Sequence, residues 1–498
     1  MSLLGLDIGT TGTKAVAFDE SGTPLAMHYR EYPLFLPAPD QCELEPTSVW
    51  DAVQEVLTRT AKTVQRKDPV RAMGVSTLGD SVTLLDTEGL PLTRTVVGAA
   101  DRRAVPQAEW LERTMGRDSL FRKTGAPLHA FCMIPKILWF RENRPDVFQK
   151  AARFTGWQEI LHSRLGLGPR MDRSLASRTM LLNIHSGDWE HELLEHCGIH
   201  PGCFYPLAWA SEIVGQTQRS LLGLTRGVKV AAGGFDQCCC AVGAGVFRPG
   251  MAALSVGTLE ALTAVSSACR IEMPLLEGNH GCGFHVVKGL YFSLAYVTTS
   301  GGVLRWYRDT FGSTEKRMAE TLKKDPYELI IEPIPDRPSS VYVLPYFAGT
   351  GTPWLDLKQR GSVFGLTLDT DSAEIVKAIL DGTCYEIRIN VDSLARAGFH
   401  IQRIRAIGGG ARSSKWMQLK ADITGIPVET TRVTEAGCLG AAFLAGLGSG
   451  VYRGMEDIEE IVKVERVYEP KMESARQYQD GYEKYRELRS RVEGLSFE

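Results

Sequence analysis

The chain has 498 residues, with 56 basic and 59 acidic residues intermixed along it and a net charge of −3, so no basic block exists to track a phosphodiester backbone and nucleic acid is excluded as a partner. At this length a single hydrophobic core no longer suffices, and two large domains are expected. No apolar run reaches the roughly 18 residues of a membrane-spanning helix, and the chain starts in a strand bearing Asp7 instead of a basic leader, so a soluble, cytoplasmic protein with no membrane partner is expected.

The first element is the apolar run Leu3 to Ile8, followed by the turn Gly9-Thr10-Thr11-Gly12 and a second run, Ala15 to Phe18. A further turn at Asp19-Glu20-Ser21-Gly22 returns the chain to a third strand, which makes a β-meander. Glycines in the first turn let a phosphate approach backbone amides, the Thr10, Thr11 and Thr13 hydroxyls add donors, and Lys14 adds a positive charge. Asp7 would repel a bare phosphate. It fits such a cradle with a hydrated Mg2+ between carboxylate and nucleotide, because Mg2+ keeps several waters and takes one or two carboxylates plus phosphate oxygens.

Further along, Glu195 to Cys203 has the residue types of a metal tract. Gly198 and Pro201 instead mark the end of a helix over Trp189 to Cys197. The buried strand Val228 to Ala232 runs into Gly233-Gly234 and presents Asp236 at a helix start. Such an Asp can cap the helix or act as a general base for an alcohol, and the base is the preferred reading, since phosphoryl transfer needs a carboxylate to orient the hydroxyl and take its proton. Cys238 to Cys240 follow; of eleven cysteines none forms a C-x-x-C pair, and they read as buried small hydrophobes, although thiols this near a base suggest sensitivity to alkylation. The glycine-rich stretch 241–250 is the expected boundary between an N-terminal domain, 1–245, and a C-terminal domain, 246–498.

A second strand-turn-strand at Met251 to Val265, with Gly257-Thr258 at its turn, lies half a chain after the first, as duplication of one phosphate-gripping domain would leave it. Val341 to Leu344 and Ile404 to Ile407 read as strands, and Glu374 to Ala397 as a helix capped by Asp371 and stopped by Gly398. Ile407 leads into Gly408-Gly409-Gly410 and Ser413-Ser414 at a helix start, where backbone amides can meet a flat ligand or phosphate. Residues 471–493 form a charged helical tail.

Lys136-Ile137-Leu138-Trp139, the Ser174 to Thr179 segment, Leu344 to Gly349, and Gly361-Ser362-Val363-Phe364-Gly365-Leu366 followed by Glu374 and Ala378 to Asp381 together resemble the FGGY family of carbohydrate kinases over nearly the whole chain. The resemblance implies an α/β fold of two ribonuclease H-like, actin-like ATPase domains with a catalytic cleft between them. It implies that Asp7 serves the metal, that Thr10, Thr11, Gly12 and Lys14 grip the β- and γ-phosphates of ATP, and that Gly257 and Thr258 hold the transferring phosphate. Asp236 would be the base and touch the substrate, Gly409, Gly410 and Ser414 would line the adenosine site, and Gly79, Asp80, Asp101 and Arg103 would build the sugar site.

Three departures stand out. Xylulose kinases usually carry Gln-Met-His where this chain has Leu78-Gly79-Asp80, Ala99 replaces the family's Trp, and Phe235 stands where many relatives have a polar residue. An ionised carboxylate accepts hydrogen bonds but cannot donate them, so the hydroxyl pattern of the substrate should differ. The expected activity is ATP-dependent, Mg2+-requiring phosphorylation of a terminal hydroxyl on a small open-chain sugar, a ketopentose such as xylulose, with polyols, aldonates and other ketoses as alternatives and a homodimer as the default assembly. An actin- or chaperone-like ATPase would share the hairpins, but the Lys136 and Gly361 signatures argue against it.

Overall fold

The N-terminal sheet grows from the meander β1 (Ser2–Ile8), β2 (Gly12–Phe18) and β3 (Pro24–Glu31). It continues through β4 (Val70–Thr77), β5 (Ile213–Gln216), β6 (Lys229–Ala231) and β7 (Gly234–Phe235). The strand order is β5-β6-β4-β1-β2-β3, with β4 parallel to β1 and both β6 and β7 parallel to β4. This computed structural model describes residues 1–98 and 100–495; Ala99, the position of the replaced Trp, lies outside the described residues, as do the last three. The central strands β1, β2 and β4 are buried along nearly their whole length because both faces are covered, whereas β3 is an exposed edge strand. Leu4, Leu6 and Ile8 pack on α1 (Pro46–Val64) through Val49, Val53 and Leu57, whereas Leu3 and Val16 face a second core. The short helix α2 (Asp236–Gly243) leaves β7 and leads to the next domain.

The C-terminal sheet contains β8 (Met251–Val256), β9 (Glu260–Ser266), β10 (Gly283–Phe284), β11 (Tyr291–Val297), β12 (Arg403–Ile407), β13 (Val428–Thr431) and β14 (Val464–Tyr468). Its order is β10-β11-β9-β8-β12-β13-β14. The helices α3 (Ser372–Arg396), α4 (Ser414–Thr424), α5 (Ala436–Ser449) and α6 (Met472–Arg491) follow in the chain. The expected strand at Val341 to Leu344 appears as Tyr342–Leu344, and Asp371 caps α3 by accepting from the Glu374 amide at 2.8 Å. In both halves an antiparallel meander of three strands is followed by two parallel strands, β3-β2-β1-β4-β6 and β11-β9-β8-β12-β13. This repeated path is the two-domain, actin-like architecture, and it agrees with the two Gly-Thr turns read from the sequence.

Helix α5 belongs to the second half of the sequence yet covers the first sheet. Its backbone lies so close that a Cβ on Gly5 would sit 1.8 Å from the Cys438 carbonyl oxygen, and one on Gly74 2.1 Å from that of Ala441. Cys438, Leu439, Ala442 and Phe443 of α5 join Leu3, Val16 and Phe18 in one core. A cut at 245 and 246 therefore divides the two sheets but not their packing. Among the described residues no helix is long and apolar enough to cross a membrane.

Candidate active site

In the sheet register Asp7 opposes both Lys14 of β2 and Ser76 of β4, and Ser76 in turn opposes Gly234 of β7. Three parallel strands thus deliver Asp7, the turn Leu78 to Asp80, and Asp236 to the same carboxyl edge, where α/β sheets place their ligands. Ser76 Oγ donates to Asp7 Oδ1 at 2.6 Å. Burial pushes the Asp7 carboxyl above its ordinary range, opposed by Ser76 and Lys14 and reinforced by Glu435. Asp7 Oδ2 takes no hydrogen bond among the described residues, and no group of three or more His, Cys, Asp or Glu converges there. A lone carboxylate oxygen of this kind fits Mg2+, which would take its remaining ligands from water and phosphate.

The first turn is closed by Gly9 N–H donating to the Gly12 carbonyl at 3.0 Å and Tyr32 OH donating to the Gly9 carbonyl at 2.6 Å. Thr13 points inward, its hydroxyl donating to the Asp7 carbonyl at 2.8 Å, so of the three threonines Thr10 and Thr11 stay accessible. Lys14 Nζ lies 2.5 Å from Glu435 Oε2 at the start of α5. Burial pulls the Lys14 pKa down, but the Glu435 contact outweighs it and holds the group above its ordinary value, a fixed cation at the cleft floor. Tyr32 and Glu435 escaped the sequence reading, since neither sits in a motif.

Asp236 is the first residue of α2, and the cap position belongs to Phe235, which removes the capping role the sequence left open. Its Oδ1 is buried without a hydrogen-bond partner among the described residues. Burial, then the neighbouring Asp7 and, more weakly, Asp80, push its carboxyl up to about 7, against hydrogen bonding to Gln237. Such a group is poised to exchange a proton near neutrality. Asp80 has φ +57, a left-handed conformation that Asp tolerates better than most residues. Arg178 Nε and Nη2 donate to its Oδ2 at 3.2 and 2.7 Å, while Oδ1 is buried and unpartnered. Lys136, fully buried, holds this turn by donating to the carbonyls of Asp80, Val97 and Gly98 at 2.7, 3.0 and 3.2 Å.

Asp101 and Arg103 depart from the expectation of a sugar contact. Arg103 forks onto both Asp101 oxygens at 2.8 to 3.0 Å, the Cys42 amide adds a 2.8 Å bond, and Trp139 lies 4.9 Å beneath the guanidinium. Both side chains are consumed as a buried brace, because an unpaired charge there would carry its full desolvation cost. The cysteine expectation also changes: burial raises the Cys238, Cys239 and Cys240 thiols well above their usual range, which removes the basis for ready alkylation beside Asp236.

Across the cleft, the Gly257-Thr258 turn stacks on the start of the helix Gly301–Thr310, with Gly301 and Gly302 amides donating to the Gly257 and Thr258 carbonyls at 3.0 Å. A buried pair, Lys420 with Glu260 at 2.8 Å, anchors this hairpin, and Ser300 Oγ donates to the same carboxylate at 2.6 Å. Parallel pairing of Ser255 with Ile407 puts the Gly408 to Gly410 turn beside it. Gly408 has φ +89, and nothing lies within 4 Å of a Cβ placed on Gly409, so that face is open to a ligand. Gly257, Thr258, Gly409, Gly410 and Ser414 share a cavity of about 830 Å³ with Tyr327, large enough for a nucleoside. Ser414 Oγ itself accepts from Arg466 and pairs with Tyr468 OH, at 2.8 and 3.1 Å.

The sequence models of the FGGY family of carbohydrate kinases match residues 2–243 for the N-terminal domain and 252–449 for the C-terminal domain. The chain is 30% identical over 483 residues to the glycerol kinase of Oleidesulfovibrio alaskensis, covering 94% of each chain. It is 28% identical to the gluconokinase of Bacillus subtilis, covering 96% of this chain and 93% of that one. A ligand-bound xylulose kinase from Lactobacillus acidophilus superposes with a TM-score of 0.88 at 25% identity, over 99% of both chains. Two matched domains, a nucleoside-sized cavity and carboxylates gathered at one sheet edge lead to the same conclusion: the chain belongs to the FGGY family of carbohydrate kinases, ATP-dependent phosphotransferases with an alcohol group as acceptor.

Proposed function

We propose that this kinase transfers the γ-phosphate of ATP to a terminal hydroxyl of a small open-chain sugar, a ketopentose such as xylulose. The observation that carries the reading is the unpartnered Asp236 Oδ1, set between Asp7 on the phosphate side and Asp80 on the sugar side. Asp236 orients the acceptor hydroxyl and takes its proton as the oxygen bonds to phosphorus, while Thr10, Thr11, Gly12, Lys14 and Thr258 hold the phosphoryl oxygens. Asp7 would hold Mg2+, which supplies charge neutralisation on the phosphates when bound. Adenosine occupies the cavity bounded by Gly409 and Gly410.

Coupled ADP release with D-xylulose, glycerol and D-gluconate tests the activity and ranks the acceptors. Asp236→Asn should lower turnover by roughly 10²- to 10⁴-fold with ATP binding retained. Turnover kept in that variant removes Asp236 from the mechanism.

A further inference from the structure

We propose that Arg178 is a specificity-determining residue which, paired with Asp80, forms a donor–acceptor fork that admits the hydroxyl of a neutral sugar or polyol and rejects an aldonate carboxylate. The proposal rests on the kinase reading above and deepens it. The fork is made possible by the departures noted in the sequence. At Gly79 a Cβ would lie 2.7 Å from the Phe235 ring and 3.3 Å from Arg178 Cγ, so a side chain there would displace both. With glycine, Phe235 packs 5.4 Å from the guanidinium and Phe131 lies 6.0 Å away, and the two rings aim Arg178 at Asp80.

Arg178 uses Nε and Nη2 on Asp80 Oδ2, and its Nη1 makes no hydrogen bond among the described residues. Asp80 Oδ1 is a buried acceptor with no donor. A free donor and a free acceptor that line one pocket match a polyol, whose separate hydroxyls can accept from Nη1 and donate to Oδ1. An aldonate carboxylate has no proton to give Oδ1 and would set a second anion against it, while the guanidinium charge is already balanced. Asp80 and Arg178 line a pocket with Asn279 and Tyr296 of the other domain. Burial pushes the Tyr296 hydroxyl up to about 12, with Arg178 opposing and Asp80 adding, and Arg102 felt more weakly, as expected if the fork faces that ring. The pocket measures about 20 Å³, room for roughly one water.

The test compares kcat/KM for D-xylulose, glycerol and D-gluconate by coupled ADP release, with dissociation constants by calorimetry. The wild type should favour a neutral acceptor over D-gluconate by about 100-fold or more, and Asp80→Asn, which supplies a donor and removes the anion, should raise the gluconate-to-neutral ratio at least tenfold. Arg178→Gln should lower kcat/KM for the neutral acceptor at least tenfold with KM for ATP unchanged. Arg178→Lys, which keeps the charge but lacks the fork, should recover folding without recovering that loss. D-gluconate as the preferred wild-type acceptor, or a ratio unmoved in Asp80→Asn, overturns the fork and leaves the kinase reading standing. Neither turnover nor binding of all three acceptors overturns that reading and the fork with it.

Discussion

Replacing Lys136 by Met separates what the buried ammonium contributes to the fold from what it contributes to the sugar site. The side chain is fully buried in the helix Met133–Asn143 and donates to three backbone carbonyls on the two strands of chain that form the pocket wall. Burial is the largest influence on it and lowers its pKa from 10.5 to about 8, against the pull of Asp80 and Asp101. At neutral pH that depression corresponds to roughly 3 kcal/mol of unfavourable burial, which Met would relieve. Against this, three hydrogen bonds from a charged donor are worth about 1.5–3 kcal/mol each, and the carbonyls left behind have no replacement partner. The net expectation is roughly 2–5 kcal/mol of destabilisation, read as a lower melting temperature.

The pH dependence has a definite sign. Because the folded-state pKa lies below the unfolded value, the unfolded chain binds the extra proton between about 8 and 10.5, and wild-type stability rises with pH across that window relative to Lys136→Met. The melting-temperature gap between the two proteins should therefore widen from pH 7.5 to pH 9.5. Freed from its clamp, the Asp80 turn should misplace the acceptor and lower kcat/KM for the sugar by about 10²-fold, with KM for ATP unchanged. A constant gap across pH, or an unchanged sugar kcat/KM, refutes the reasoning.

Two further predictions concern titration and reactivity. Asp236 must be ionised to accept a proton, so kcat/KM should rise through an acid limb near pH 7, and Asp80→Asn should move that limb to lower pH by removing a like charge; a limb that stays in place excludes Asp236 as its origin. Iodoacetamide at neutral pH should label Cys269 ahead of Cys238, Cys239 and Cys240, because Cys269 is partly exposed and hydrogen bonding from Cys282 lowers its pKa while burial raises the other three; peptide mass spectrometry showing the reverse order contradicts this.

Much of the site was legible because its chemistry lies at strand ends with local signatures. The DIGTTGTK run, the Gly-Gly before Asp236 and the triple glycine after Ile407 each punctuate a strand, and all three structures form where the punctuation stands. The roles of neighbouring residues were harder to read. Thr13 and Thr11 look alike in sequence, but Thr13 lies within β2 with its hydroxyl on the Asp7 carbonyl, whereas Thr11 lies in the turn before the strand and is exposed. Lys136 and Trp139 marked the family without revealing their work, which is to clamp the Asp80 turn and to underlie the Arg103 brace.

By itself the amino-acid sequence determined the two-domain α/β architecture and the two Gly-Thr turns and drew attention to Asp7 and Asp236, because apolar periodicity, glycine placement and short motifs act over a few residues, whereas Asp80 entered through the family resemblance. Tertiary structure alone decided which charges remain available. Lys14 meets Glu435 from 421 positions away, Arg178 reaches Asp80 across 98, and Asp101 is closed off by Arg103 and the Cys42 amide. Such pairings follow from how sheets and helices pack, as α5 does against Gly5 and Gly74, and no local pattern encodes them.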